Sequence, residues 1–294
     1  MLQWPERMIQ LYSIFCQFHI QFVVSTKDSI LTSQEIHQYS IRLGIPIPEM
    51  TFGRNSVEIK HSSGWKLIFT AYDALQGVDK SGKEAIQVSY AKEWIKNRAN
   101  KEIRAVKVSN PVSLMIGHLR QSIGALYLMR AVKNKTLATK EEEKDQAKDT
   151  DDVDKVVVPV FVLSDEAIPL DKLKRRDPIL FFEEVILYED ELSDNGMSLL
   201  SIKVRVMPER LLLLQRFFMR LDNVIFRIRD TRIYIEFSTG KVLREYIEKE
   251  ASYHKVLQKV SSLQNDFGIF LTDPSWVASV LPTCHKTLEV LKLC

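Results

Sequence analysis

Six carboxylates crowd twelve consecutive residues: Glu183, Glu184, Glu189, Asp190, Glu191 and Asp194, with no basic side chain among them. Paired carboxylates can hold a divalent cation or divide acid and base roles between them. That chemistry requires the groups to converge in a pocket that pulls their proton affinities apart. The commoner outcome for such a run is a solvated sheet edge followed by a polar turn, here ending at Asn195-Gly196. A metal-dependent enzyme using the Glu183–Asp194 cluster therefore stands as the alternative reading. What separates the two is whether the carboxylates converge or spread along a solvent-facing strand.

Other catalytic constellations do not assemble. The histidines are His19, His37, His61, His118, His254 and His285. No two have metal-ligand spacing, and none accompanies a nucleophile in a motif. There is no G-x-S-x-G elbow, no phosphate-binding Walker loop and no H-E-x-x-H. The ten glycines are scattered, with no dinucleotide fingerprint. The expectation is a protein without catalytic residues, cofactor or metal.

A second charged stretch has the opposite sign. Lys203–Arg232 holds eight basic and three acidic residues, with Phe217, Phe218 and Phe226 interleaved. Nucleic-acid binding needs such residues on one face. Structural pairing with the acidic cluster is the commoner arrangement, so no nucleic-acid partner is expected. Within this stretch the apolar positions Phe226 and Ile228 are even-numbered, while Ile233, Ile235 and Phe237 are odd-numbered. A slip of one reverses the faces of a strand, which predicts a bulge or tight turn near Asp230 and Thr231. Asp230 and Arg232 would then sit at a bend, aimed at a partner or paired with each other to close the turn.

The elements that must position these residues follow from periodicity. Phe22–Lys27 reads as a strand. A short helix starts at Ser33, with Ser33 as its cap, and Pro46 and Pro48 stop helical structure. Ser56–Ile59 and Trp65–Phe69 flank Ser62-Ser63-Gly64 as a hairpin, and Ala85–Tyr90 forms a further strand. Leu199–Val206 alternates, with Leu200, Ile202, Val204 and Val206 inward and Lys203 and Arg205 outward. Pro208 fits a first helical position, which predicts a buried helix over LLLLQRFFMRL to Leu221. Strands follow at Val224–Ile228 and Thr231–Phe237, then an amphipathic helix over Arg244–Leu263 and a last helix over Trp276–Leu293, broken at Pro282. Separate runs of strands and helices predict an α+β fold: a single domain over residues 18–294 with a mixed, mainly antiparallel sheet and packed helices. Residues 1–17 form an atypical N-terminal segment. An irregular insertion spans about 99–155; its Lys140–Lys155 portion carries eight acidic and four basic residues in sixteen, too little apolar surface to offset ordering.

The whole chain has 294 residues, 45% hydrophobic and 27% charged, and a net charge of +3, which supports a buried core and gives no general attraction to polyanions. Cys16, Cys284 and Cys294 are too few and too far apart for a disulfide framework, which fits a reducing cytosolic or nuclear setting. The apolar stretches Met8–Val24 and Pro111–Met129 are interrupted by polar residues, so neither reads as a signal or membrane segment.

Several of these segments resemble the TIPRL (Tip forty-one-like) family. The motifs are Pro48-Glu49-Met50-Thr51-Phe52-Gly53, Ala71-Tyr72-Asp73-Ala74-Leu75, Pro169-Leu170-Asp171-Lys172-Leu173, ILFFEEVILYEDELSDNG over Ile179–Gly196, KVRVMPERLLLLQRFFMRLDNV over Lys203–Val224 and RDTRIYIEF over Arg229–Phe237. The resemblance covers about residues 20–96 and 160–290. It implies binding of the catalytic subunit of protein phosphatase 2A and related phosphatases in TOR signalling, a cleft that engages the phosphatase including its C-terminal tail, and no catalytic activity or cofactor. It also implies partner-binding roles for Asp73, Ile168, Ile228, Asp230 and Arg232. Taken alone, Asp73 reads equally as a helix cap on Ala74-Leu75-Gln76, and Ile168 as core packing.

Overall fold

Alternating apolar residues in Ser56–Ile59 and a turn through Gly64 at φ +84° produce the expected hairpin. It belongs to the first of two antiparallel sheets in the computed structural model, which describes residues 7–11, 20–27, 29–78, 160–192, 194–261 and 267–293. The expected strand at Ala85–Tyr90, the segment 99–155 and most of residues 1–17 lie outside the described residues.

The first sheet contains β1 (Arg7–Leu11), β2 (Ile20–Thr26), β4 (Ser56–His61) and β5 (Lys66–Thr70), in the order β1-β2-β4-β5. Helix α1 (Ser33–Leu43) precedes β3 (Met50–Thr51), and α2 (Ala71–Gln76) follows β5. Thr32, one residue before the expected cap, caps α1 in a reciprocal box with Glu35, and Gly44 closes it in the left-handed region at φ +66°.

The second sheet has eight strands in the order β3-β7-β8-β9-β10-β11-β12-β6. Its members are β3, β6 (Val162–Leu163), β7 (Phe181–Asp190), β8 (Gly196–Met207), β9 (Arg210–Leu221), β10 (Ile225–Glu236), β11 (Lys241–Ser252) and β12 (Thr283–Lys292). Among the described residues four helices accompany it: α3 (Leu170–Leu173), α4 (Tyr253–Ser261), α5 (Phe267–Thr272) and α6 (Pro274–Val280). The architecture is α+β, as the separate runs of elements predict, and every strand pairing among the described residues is antiparallel.

Three expected helices are wholly or partly strands. LLLLQRFFMRL is β9, and Pro208-Glu209 is the two-residue turn joining it to β8 through the Met207–Arg210 pair. A continuous apolar run does not distinguish a buried helix from a strand buried on both faces. Both faces of β9 are covered, so the alternation that marks a half-exposed strand is absent. Arg244–Ser252 belongs to β11, where charges that suggest a solvated helix face are cross-strand partners; of the rest, the described residues Tyr253–Ser261 are helical. The last expected helix ends as α6 before Pro282, and the chain continues as β12. The expected slip at Asp230–Thr231 is also absent: β10 is one strand of twelve residues, in unbroken register with β9 and β11. Its apolar residues change parity because each face of the sheet is covered over a different part of the strand.

Side chains alternate across a strand, so the register sorts them into faces. Ile233, Ile235, Leu211, Leu213, Ile202 and Val204 point to one face and share a core with Val57, Ile59, Trp65 and Phe69 of the smaller sheet. Leu187 stands at a register shift in β7; its carbonyl accepts from Phe52 N at 2.9 Å, and the neighbouring Ile186 carbonyl accepts from Asn55 Nδ2 at 2.7 Å. These bonds tie the PEMTFG segment to the large sheet. On the opposite face, Phe218, Phe226 and Ile228 pack beneath Val256, Val260, Leu271, Val277 and Leu281 of the α4–α6 region. Farther along that face, Tyr234 and Leu243 pack with Ile168, Leu173 and Leu212.

Candidate functional site

Between these two apolar clusters the same face of the large sheet is charged. The register places Arg216 of β9 opposite Asp230 of β10, Asp230 opposite Ile247 of β11, and Arg232 opposite Glu245. Arg216 Nε and Nη2 donate to the two oxygens of Asp230, each at 2.7 Å, while Nη1 donates to the Pro274 carbonyl at 3.1 Å. Arg232 Nη2 lies 3.5 Å from Asp230 Oδ2, and its Nη1 donates to Glu245 Oε2 at 3.2 Å. Lys286 of β12 pairs with the other oxygen of Glu245. Lys249 donates to the Ala278 carbonyl at 2.5 Å. The result is a ladder of ion pairs across four strands, fastened at two points to α6.

Exposure across this ladder is graded. Asp230 is 0% exposed and Glu245 is buried, whereas the Arg232 and Lys286 side chains are 33% and 43% exposed. Four cations meet two carboxylates, and both carboxylates are committed inward. Burial pushes the Lys249 ammonium below its ordinary range; Asp230 opposes this, while Arg232 and Arg216 add to it. Arg232 and Lys286 are therefore the members of the ladder whose side chains reach solvent.

The wall at Ile168 is held by ionic contacts as well as packing. Lys172 of α3 pairs with Glu236 at the end of β10. That hydrogen bond holds the Glu236 carboxyl below its usual range and raises Lys172 above its own. The buried Arg210 donates to the Lys172 carbonyl at 2.5 Å and meets Asp177 at 2.7 Å. Tyr234 stands under Ile168 with a buried hydroxyl that has no hydrogen-bond partner among the described residues, and burial raises its pKa.

Four of the five expected site residues share this face. Ile228, Asp230 and Arg232 are successive same-face residues of β10, and Ile168 packs two positions farther along, on Tyr234. Ile228 and Asp230 are fully buried and Ile168 nearly so, which leaves Arg232 as the member with accessible surface. Asp73 is elsewhere. It lies on α2, whose Ala71, Ala74 and Leu75 pack into the core on the other face of the large sheet. There Asp73 N donates to Thr70 Oγ1 at 3.0 Å and Asp73 Oδ2 accepts from the Thr70 hydroxyl at 2.9 Å, a cap at the start of α2.

Arg216, Glu245, Lys249 and Lys286 were not expected as members. Their signal is the cross-strand register, which is hidden while LLLLQRFFMRL and Arg244–Leu263 read as helices. The basic residues of Lys203–Arg232 also find different partners from those expected. Arg227 and Arg229 meet Glu250, Arg229 meets Glu248, and Arg220 meets Asp222, while Lys203 reaches the acidic run at Glu184. That acidic run does not converge. Glu183 and Glu184 occupy opposite faces of β7, and Asp190 Oδ1 accepts from Leu192 N at 2.6 Å. Among the described residues no three or more His, Cys, Asp or Glu side chains are placed to hold a metal ion.

Fold and site define an α+β protein of two antiparallel sheets, with one sheet face carrying an ion-paired band between apolar walls. The chain belongs to the TIP41-like family, whose model matches residues 50–257. It is 37% identical over 277 residues to the Saccharomyces cerevisiae protein named Type 2A phosphatase activator TIP41, covering 92% of this chain and 72% of that one. It is 34% identical over 270 residues to the Homo sapiens TIP41-like protein, covering 92% and 86%. Against the Schizosaccharomyces pombe Type 2A phosphatase activator tip41 it is 31% identical over 265 residues, covering 90% and 92%.

Proposed function

We propose that this chain is a non-enzymatic regulator that binds the catalytic subunit of type 2A serine/threonine phosphatases and modulates their activity or assembly in TOR signalling, in the cytosol. The observation that carries the reading is that relatives named as type 2A phosphatase activators match nine-tenths of the chain. The ion-paired band supports it: a partly exposed basic edge between apolar walls suits a protein partner, where charge sets orientation and encounter rate. In this reading Arg232 contacts the phosphatase, and Asp230, Ile228 and Ile168 hold the face beneath and beside it. Asp73 forms a separate contact on the other side of the large sheet.

Immobilised purified chain should retain type 2A catalytic subunits from a defined mixture of purified phosphatases, and failure to retain them overturns the reading. A parallel assay addresses catalysis. The purified chain should show no metal-stimulated hydrolysis; turnover that disappears in a Glu184→Gln, Asp190→Asn double variant would favour the metal-dependent enzyme.

A further inference from the structure

We propose that Arg216 is the positioning residue of this face: by taking both oxygens of Asp230 it leaves Arg232 turned outward, and by binding the Pro274 carbonyl it seats α6 over Ile228. The inference rests on the phosphatase-binding reading for its consequence, though not for its geometry. Arg216 itself is buried, with little accessible surface. Its fork is divided between the carboxylate, at 2.7 Å twice, and the first residue of α6, at 3.1 Å.

Besides Arg216, Asp230 has two neighbouring cations, Arg232 two residues along β10 and Lys249 on β11. Arg232 already lies 3.5 Å from Oδ2, too long for a strong hydrogen bond but within one side-chain adjustment of it. Lys249 is held by the Ala278 carbonyl. A buried carboxylate without a partner is costly and recruits the nearest charge. With Arg216 present, both oxygens are occupied and Arg232 extends to Glu245, one third exposed. Without it, Arg232 is the side chain best placed to fold inward onto Asp230, which withdraws the outward cation from the surface. Arg216 therefore sets which arginine is buried and which is presented.

Four variants test this: Arg216→Met, Arg216→Lys, the double Arg216→Met, Asp230→Asn, and Arg232→Gln. Two measurements are made, the second only on the three variants that retain Arg232, at a temperature where circular dichroism shows the chain folded. One is the affinity for purified type 2A catalytic subunit. The other is the reactivity of Arg232 toward phenylglyoxal, mapped by mass spectrometry. Arg216→Met should lose about tenfold in affinity, approaching Arg232→Gln, and should protect Arg232 from modification. Arg216→Lys keeps the charge without the fork and should fall between Arg216→Met and wild type in both measurements. The double variant removes the buried charge that draws Arg232 inward. Its Arg232 should react as in wild type, and its affinity should recover to within about threefold, even though its melting temperature stays low. A purely structural role would make affinity follow melting temperature in all variants, with Arg232 reactivity unchanged. That result overturns the proposal, as does a double variant no better than Arg216→Met. Wild type that fails to bind while the reactivity pattern holds would instead remove the phosphatase reading and leave the positioning role standing.

Discussion

Arg216 and Asp230 face each other across β9 and β10 in a two-pronged ion pair, both contacts 2.7 Å long, fourteen residues apart in sequence and buried together. The pair sits where apolar cover stops. On one side Ile228 and Phe218 lie beneath the α4–α6 helices; on the other Tyr234 and Leu212 meet Ile168. A charged pair in that gap is stable only because every oxygen of the carboxylate has a donor.

Asp230→Asn should therefore act on stability first. The substitution keeps the shape but leaves the Arg216 guanidinium with a neutral acceptor in a buried setting. Breaking a buried pair from one side costs about 3–5 kcal/mol, and the retained amide oxygen brings the expectation to the lower end. In a chain of this size that is a fall of roughly 6–12 °C in melting temperature, read by a thermal melt followed by circular dichroism. A melt within a degree of wild type would show that the pair contributes little.

The α3 tether should be sensitive to acid. The Glu236 carboxyl is held below its usual range by the hydrogen bond from Lys172, with Thr239 and Lys241 adding to the effect. A carboxyl whose folded pKa lies below its unfolded value stabilises the fold above the unfolded value, and this is lost as pH falls through the folded one. Lys172, raised by the same bond, contributes below its ordinary range and loses its contribution as pH rises through the raised value. Glu236→Gln should lower the melting temperature by roughly 1–4 °C at neutral pH, the range for a partly exposed pair worth about 0.5–1 kcal/mol. The difference from wild type should vanish at pH well below the ordinary glutamate range. A constant difference from neutral to acidic pH would contradict the assignment.

Tyr234 and Ile168 make opposite forecasts at one contact. The Tyr234 hydroxyl is buried without a partner among the described residues, so Tyr234→Phe removes an unsatisfied polar group at little packing loss. It should leave stability unchanged or raise it by up to about 1 kcal/mol. Ile168→Ala deletes buried apolar atoms and should cost about 2–4 kcal/mol. Urea denaturation of both variants checks the pair of expectations; a Tyr234→Phe protein that is strongly destabilised would mean the hydroxyl is bonded in solution.

The strands that alternate cleanly are legible from sequence. Leu200, Ile202 and Val204 point inward as their spacing requires, and Ser56–Phe69 forms its hairpin. The centre of the large sheet is not legible, for a physical reason. β9 is covered by the smaller sheet on one face and by helices on the other, so Leu211–Leu214 carries no period that favours a strand. In β11, Arg244, Glu245, Glu248 and Glu250 look like a solvated helix face, yet each is matched by a charge on a neighbouring strand. Cross-strand pairing joins residues far apart in the chain, and spacing along one segment cannot reveal it. The same limit applies to the site. Asp230 and Arg232 enter through an expected bend that β10 does not make and through the family resemblance, whereas Arg216, Glu245 and Lys286 become visible only through the register.

Arg232→Gln should separate binding from folding. Its guanidinium reaches Glu245 at 3.2 Å and Asp230 at 3.5 Å, but neither carboxylate depends on it alone: Arg216 holds Asp230, and Lys286 also holds Glu245. Partly exposed ion pairs of this kind contribute about 0–1 kcal/mol, so the melting temperature should fall by no more than roughly 4 °C. Binding is different. Arg232, with Lys286, joins the buried ladder to open surface, and a charge removed from a protein interface weakens association through lost pairing and slower steered encounter. Affinity for type 2A catalytic subunit should drop about tenfold in low salt, and the gap between variant and wild type should narrow as salt is raised, because screening weakens the same interaction in the wild type. Titration calorimetry at two salt concentrations reads both effects. Equal affinity of variant and wild type in low salt would exclude Arg232 from the interface and move the phosphatase contact to another surface of the chain.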